Sequence, residues 1–448
     1  MFGRSHYLVI AKVGEELSRR GHEVKIFVGD TETYALKSPL ARPFNMSQTF
    51  KNALKQIGKQ IGKPGAGIMA FMTHVATVQA FYCDDILGNN DVMKAVKHAD
   101  LVVGDSLDMC GSLVADRFSL PYVTVFTNSL STPTAHAFAL PLSPAYVPQF
   151  QSTLTDKLNF VERIQNVYQW IVVYLTFHIG MAPPFKELKN RYNITPDRSL
   201  YETLVKVDLI IAQMGFFLEY PRPLLPNTRV VGPLLTSPSK PLPAELEEFM
   251  QSSGDNGVIV VAFGTALTNL NRDILAVMAS AFAKFPQKFI WKLNEAESSA
   301  ISVSDNIKAV PWMPQNDILG HPKTRLFIGH AGLNGILESI YHGVPMICSP
   351  FFGDQFDNAQ AARDAGFAEV LHLGKATAEQ LVSVINTVLT DPSYRESAVR
   401  ISKSIKQLPR TPAQEAADWV EYTQAQGGLQ YLRPRGLDLP FYQLYFLK

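Results

Sequence analysis

The densest chemistry in the chain lies between Trp312 and Asn358, where WMPQ is followed by HPKTRLFIGHAGLNGILE and then by PFFGDQFDN. Ile328-Gly329-His330-Ala331-Gly332 reads as a strand ending in a small-residue turn that opens a helix. Such a turn aims free backbone N–H groups and the positive end of a helix dipole at an anion, with Asn334 and Gly335 in the first helical turn. A diphosphate fits that description. Glu338, two turns in, is placed to accept hydrogen bonds from a ribose diol, and Trp312, beside Met313-Pro314, offers a face on which a base can stack. Phe263-Gly264-Thr265 is a second strand end with a glycine and offers another phosphate contact.

A second group of reactive residues lies in the first quarter of the chain. Ser5-His6 stands immediately ahead of an amphipathic run over residues 7–20. A histidine at a helix N-terminus has its cationic form disfavoured by the dipole, which keeps it available as a neutral base. Asp105 follows the apolar strand 101–104, at the carboxyl end where functional groups gather. A carboxylate there can hydrogen-bond the far ring nitrogen of a histidine, fixing its tautomer and stabilising the imidazolium. His22, His321 and His342 read as structural.

The elements that must hold these residues alternate along the chain. Helix-like residues 7–20, strand-like 23–28, and apolar strands at 101–103 and 122–126 give a βαβ rhythm and a mostly parallel sheet. The rhythm returns with strands at 258–263, 289–293, 326–328 and 346–349 and helices at 272–285, 333–342, 354–365 and 377–389. Ser237-Pro238-Ser239-Lys240-Pro241-Leu242-Pro243 reads as a linker. The expected organisation is a first Rossmann-like domain over 1–236, a linker over 237–245, a second over 246–411 and a terminal helix and tail over 412–448. Open α/β sheets bind ligands at the carboxyl ends of their strands, so the expected active site is the cleft between the two domains.

Composition narrows the function classes. With 41 Lys+Arg against 40 Asp+Glu and no basic blocks, nothing suits a phosphate backbone, and nucleic acid is not an expected partner. Cys83, Cys110 and Cys348 lack metal-ligand spacing, and neither a structural zinc site nor a disulfide framework is expected from them. The opening residues are not expected to form a signal peptide, and the uncharged stretch 164–181 reads as a buried or membrane-surface helix rather than a spanning one.

The stretch 312–358 resembles the signature of the UDP-glycosyltransferases, particularly the animal UDP-glucuronosyltransferase branch, and similarity extends over residues 2–28, 105–123, 220–227 and 391–397. The resemblance implies an α/β fold of two facing Rossmann-like domains, the GT-B glycosyltransferase fold, with the donor on the C-terminal domain. It implies that Trp312 and Gln315 serve the uridine, Thr265, His330, Asn334 and Gly335 the diphosphate, Glu338 the ribose, and Asp354 and Gln355 the sugar hydroxyls. His6 and Asp105 fall on the family's base and its acidic partner. Arg222, in Tyr-Pro-Arg-Pro, falls where an arginine has been linked to a sugar carboxylate, which favours UDP-glucuronic acid over UDP-glucose.

The implied reaction is inverting transfer from a UDP-sugar, a co-substrate, to a hydroxyl of a small lipophilic acceptor, with no cofactor and no metal. Phe71, Met72, Phe81, Tyr82, Phe126 and Phe138 are candidate walls of the acceptor pocket. The family setting implies the lumenal side of the endoplasmic reticulum membrane and a possible homo-oligomer. Against the family pattern, the signal peptide, first strand and membrane anchor are expected to be missing from this sequence, and Ala331 stands where relatives carry glycine. The rival readings are a UDP-glucosyltransferase, a catalytically impaired ligand-binding relative, and a sugar-nucleotide epimerase.

Overall fold

The computed structural model describes residues 3–60, 68–264, 270–439 and 443. The chain divides into two units, Met1–Leu234 with Arg410–Lys448, and Leu235–Pro409. In chain order the first unit runs α1 (Arg4–Arg19), β1 (Ile26–Gly29), β2 (Ala41–Phe44), α2 (Gln48–Gln60), α3 (Ile68–Leu87), α4 (Asn90–Lys97), β3 (Val102–Asp105) and α5 (Cys110–Phe118). It continues through β4 (Tyr122–Phe126), α6 (Thr132–Ala137), α7 (Phe160–Leu175), α8 (Ala182–Arg191), α9 (Leu200–Leu204), β5 (Leu209–Ala212) and β6 (Thr228–Val230). The second unit holds α10 (Ala244–Gln251), β7 (Val258–Ala262), α11 (Arg272–Phe282), β8 (Lys288–Lys292), α12 (Glu295–Ser299), β9 (Ile307–Val310) and α13 (Gln315–Leu319). It ends with β10 (Thr324–Gly329), α14 (Leu333–Tyr341), β11 (Met346–Cys348), α15 (Gln355–Asp364), β12 (Ala368–Val370), α16 (Ala378–Thr390) and α17 (Pro392–Lys406). The chain then returns to the first unit as α18 (Pro412–Ala425).

The second unit is one parallel sheet in the order β12-β11-β10-β7-β8-β9. β7, with sequence VIVVA, is buried at every position, as a central parallel strand covered on both faces must be. Strands on either side of the β7–β10 pair connect outward in opposite directions, so the carboxyl ends of β7 and β10 meet at the point where the strand order reverses. His330 follows the end of β10 directly, and Gly264 stands two residues past the end of β7. The core beneath packs Phe282, Phe289 and Trp291 together, with the two phenyl rings stacked 4.3 Å apart.

In the first unit β3-β4-β5-β6 form a four-stranded parallel sheet and β1-β2 a separate parallel pair. Pro43 cannot donate to a ladder and sits on β2, which has one strand partner among the described residues. α18 is tied to α1 by Arg20, whose Nη1 donates to Asp418 Oδ1 at 2.8 Å and to Glu421 Oε2 at 2.6 Å. His22 adds a 2.9 Å contact to Glu421, which gives it a structural role.

One local expectation is corrected. Cys83 of α3 and Cys110 of α5 form a disulfide, their Cα atoms 5.3 Å apart, inside the span a bridge needs. The uncharged stretch 164–181 is the end of α7 followed by a π-helical turn, Thr176–Met181. The face of α7 carrying Phe160, Ile164, Tyr168 and Ile171 is exposed. Among the described residues no helix is long and apolar enough to cross a membrane.

Candidate active site

His6 lies in the first turn of α1, which begins at Arg4 rather than after the histidine. No side chain caps that end, so the dipole acts on His6 from within the turn. Asp105 is the last residue of β3 and is almost wholly buried. His6 Nδ1 stands 2.6 Å from Asp105 Oδ2 and 2.6 Å from Thr127 Oγ1, and the Thr127 hydroxyl donates to Asp105 Oδ1 at 2.8 Å. A carboxylate only accepts, so the proton of the neutral ring belongs on Nδ1, and the basic lone pair is left on Nε2.

The Leu107 amide also donates to Asp105 Oδ1, at 3.1 Å. Burial alone would raise the Asp105 pKa; the charge of His6 and hydrogen bonds from His6, Thr127 and Leu107 outweigh it and hold the carboxyl below its ordinary range. Thr127 is itself buried, and Gln213 Nε2 donates to its carbonyl at 2.6 Å. Parallel pairing sets this geometry: Asp105 is opposite Val125 in the β3–β4 register, so the residue two beyond Val125 reaches the end of β3.

In the second unit His330 follows β10 and Gly332 is the N-cap of α14. The imidazole is nested against two glycines. A Cβ on Gly264 would stand 2.7 Å from its Nε2, and one on Gly332 only 2.5 Å, so glycine is required on both sides. Ala331, between them, holds φ at 61°, in the left-handed region alanine resists. The His330 pKa is lowered to about 4 by burial and then by the charge of Lys292, against a partial rise from a hydrogen bond with the Ala262 backbone. Near neutral pH His330 is therefore a neutral hydrogen-bonding group rather than a cation.

Lys292, at the end of β8, supplies the charge. Its Nζ donates to the Gly264 carbonyl at 2.7 Å and lies 5.1 Å from the centroid of the Trp312 ring. Trp312 is 53% exposed, so a planar group has access to its ring. Gln315 Nε2 donates to Glu338 Oε2 at 2.5 Å, joining two of the expected nucleoside contacts across α13 and α14. Burial pushes the Glu338 carboxyl up to about 7, the bond from Gln315 pulls it down, and Asp317 adds a smaller upward push. Asn334 and Gly335 occupy the first turn of α14.

Asp354 is the N-cap of α15, and its Oδ2 accepts from Asn358 Nδ2 at 3.0 Å. The Gln355 side chain is buried, its oxygen accepting from the amides of Phe351 at 2.9 Å and Phe352 at 3.3 Å. That oxygen shapes the loop. Thr265 lies outside the described residues.

Arg222 has a setting other than the one expected. It belongs to the first unit, where Nη2 donates to Glu219 Oε2 at 3.0 Å and Nη1 to the Leu130 carbonyl at 2.9 Å, with 4% of the side chain exposed. Its fork is already taken by internal partners. Tyr82, Phe126 and Phe138 are sealed in the core, so they cannot line an open acceptor pocket; Phe71 and Phe81 are only partly buried. Thr127 and Lys292 are the site residues that the sequence alone did not single out. Each follows or ends a strand next to one already marked, which was the available signal.

Among the described residues there is no group of three or more His, Cys, Asp or Glu placed to hold a metal ion. The sequence profile of the family described as UDP-glucoronosyl and UDP-glucosyl transferase matches residues 2–448. The chain is 33% identical to UDP-glucuronosyltransferase 2B33 of Macaca mulatta, over 99% of this chain and 87% of that one. It is 32% identical to human UDP-glucuronosyltransferase 2B7 over the same shares. Among solved structures, the calicheamicin glycosyltransferase CalG4 superposes with a TM-score of 0.64 at 19% identity, covering 95% of this chain and 96% of that one. Phytolacca americana UGT2, complexed with UDP-2fluoro-glucose and pterostilbene, gives 0.64 at 17%, covering 95% and 98%. These two show likeness of fold.

Proposed function

Given that the chain belongs to the UDP-glucoronosyl and UDP-glucosyl transferase family and is a UDP-glycosyltransferase of GT-B fold, we propose that it transfers glucuronic acid, with inversion, to a hydroxyl of a small lipophilic acceptor. The observation that carries this reading is the 2.6 Å contact between His6 Nδ1 and the buried Asp105 carboxylate. His6 Nε2 takes the proton of the acceptor hydroxyl as its oxygen attacks the anomeric carbon from the face opposite the diphosphate. The bond from that carbon to the diphosphate oxygen breaks, and UDP leaves with the electron pair. Asp105 stabilises the imidazolium, and Thr127 fixes the carboxylate that does so.

On the donor side the amino end of α14, the neutral His330 and the Lys292 ammonium meet the charge of the leaving diphosphate without a metal. Trp312 stacks the uracil, Gln315 and Glu338 take the nucleoside, and Asp354 and Gln355 lie nearest the sugar hydroxyls. The choice of glucuronic acid is supported by the similarity to the two 2B glucuronosyltransferases, with UDP-glucose as the second donor. Arg222 adds nothing to that choice while Glu219 holds it.

Mass spectrometry of a mixed pool of phenols and alcohols incubated with UDP-glucuronic acid, UDP-glucose and UDP-galactose tests the reading. A glucuronide should appear in step with UDP. UDP-sugar consumed equally without any acceptor would point to an epimerase or hydrolase, and donor binding without turnover to an impaired relative; either outcome sinks the proposal.

A further inference from the structure

β4 and β5 end side by side, with Phe126 opposite Ala212, and the residues that follow leave the ladder together. Thr127, Asn128, Ser129 and Leu130 are nonetheless all buried. A buried loop needs partners for backbone groups that neither a strand nor water can meet, and the segment after β5 provides them. Gln213 Nε2 donates to the Thr127 carbonyl, and three positions on, Leu130 is gripped at both its backbone groups. Its amide donates to Glu219 Oε1 at 2.9 Å and its carbonyl accepts from Arg222 Nη1 at 2.9 Å. Arg222 Nη2 closes the ring by donating to Glu219 Oε2 at 3.0 Å. A turn at Gly215, whose carbonyl accepts from the Leu218 and Glu219 amides at 3.1 Å, brings Glu219 within reach.

The ring is suited to fixing a position. The Arg222 and Glu219 side chains are 4% and 10% exposed, so their charges face each other rather than solvent. A buried ion pair adds little stability over an apolar pair of the same size, yet losing one partner strands the other. What the planar guanidinium does supply is two donors at a set spacing, one on the carboxylate and one on the Leu130 carbonyl, an arrangement a point charge does not reproduce. On the β3 side of the loop, the Ser106 hydroxyl donates to Asn128 Oδ1 at 3.3 Å. Between these ties stands the Thr127 hydroxyl, 2.6 Å from His6 Nδ1 and 2.8 Å from Asp105 Oδ1. We propose that Glu219 and Arg222 form a clamp that positions the general base: by holding Leu130 they set the loop, and with it the Thr127 hydroxyl, against His6 and Asp105. This rests on the base role of His6 proposed above. Arg222 then governs the acceptor step and not the choice of donor sugar.

Arg222→Met in the full chain, assayed at saturating donor with a neutral alcohol and with a phenol ionised at the assay pH, tests the clamp. Turnover of the alcohol should fall about ten- to a hundredfold, the size of a lost hydrogen bond to a charged group; the ionised phenol, which has no proton to give up, should be spared. KM for UDP-glucuronic acid and for UDP-glucose should both stay unchanged. Added to Thr127→Val, Arg222→Met should cost little more than either alone, because the two act through one hydroxyl. Equal losses on the two acceptors would make the ion pair a purely structural one, and a KM raised for the glucuronyl donor alone would return Arg222 to the sugar carboxylate. Either result overturns the clamp, as do losses that multiply in the double variant. If Arg222→Met does not fold, Arg222→Lys is read in the same way, since one ammonium cannot serve both positions of the fork; full turnover of the alcohol by the lysine variant overturns the clamp. His6→Ala run alongside keeps the two proposals apart. A split between the acceptors in His6→Ala but not in Arg222→Met removes the clamp alone, whereas no split in His6→Ala removes the base reading and the clamp with it.

Discussion

Thr127 joins both members of the pair in the first unit, which makes it the residue whose loss separates positioning from base strength. Thr127→Val leaves Asp105 Oδ1 without the hydroxyl donor, and a hydrogen bond to a charged group is worth about 1.5–3 kcal/mol, so kcat should fall about ten- to a hundredfold. UDP affinity should stay the same, and Thr127→Ser should recover most of the rate. Steady-state kinetics on the three forms checks this; equal losses in Thr127→Val and Thr127→Ser would contradict it. Asp105, with its pKa depressed, is ionised throughout the neutral range, and the stability it contributes is lost only as the pH falls below its ordinary value near 3.8. Glu338 runs the other way. Its folded pKa, raised to about 7, makes its neutral form the favoured one, so its contribution to stability is full below its ordinary 4.5 and is lost as the pH rises through about 7. A ribose diol wants the carboxylate, so UDP affinity should increase with pH, by up to about tenfold per unit below 7, and level off above. Calorimetric titration of UDP across that range should show the slope in the wild type and none in Glu338→Gln; a slope that survives in the variant assigns the titration to another group.

The turn between β10 and α14 carries a cost that one methyl group explains. Ala331 sits at φ 61°, where an L-residue is disfavoured by roughly 1–2 kcal/mol and glycine is not, while glycine gives back about 0.5–1 kcal/mol in chain entropy. Ala331→Gly should therefore stabilise the second unit by a few tenths to about 1 kcal/mol, read as a higher urea midpoint for that unit; a lower midpoint would mean that the methyl packs usefully. The sheets themselves were legible, because runs such as VIVVA and LIIA between glycine-bearing turns suit parallel strands buried on both faces. The turn between β10 and α14 was legible for the same reason, since glycine and alanine between a buried strand and a helix mark a tight connection. What stayed hidden depended on which elements become neighbours. The disulfide joins α3 to α5 across a sequence separation of 27 with no pattern to mark it, and Thr127 and Lys292 are single polar residues whose meaning comes only from the strand beside them. Arg222 was hidden for a different reason: Glu219 stands only three residues away, but that the two pair in a buried setting is visible only in the fold.

Across the whole molecule the proposed base and donor residues belong to different units, and the two functions should fail independently. If, as proposed, Lys292 and the α14 amino end meet the charge of the leaving diphosphate, activity should be unaffected by EDTA and not increased by magnesium or manganese; loss with EDTA and recovery with either ion would show that a metal does that work. The proposed reaction turns on His6, held by Asp105, removing the acceptor proton. A positioned general base is worth about 10²–10⁴-fold, roughly 3–5 kcal/mol of barrier. The most direct measurement is turnover of His6→Ala and wild type with a matched pair of acceptors, a neutral alcohol and a phenol acidic enough to be ionised at the assay pH, each at saturating donor. The expected result is a loss of that size for the alcohol, a much smaller loss for the ionised phenol, and unchanged UDP affinity. Equal losses on both acceptors, or near-full turnover of the alcohol by His6→Ala, would contradict it.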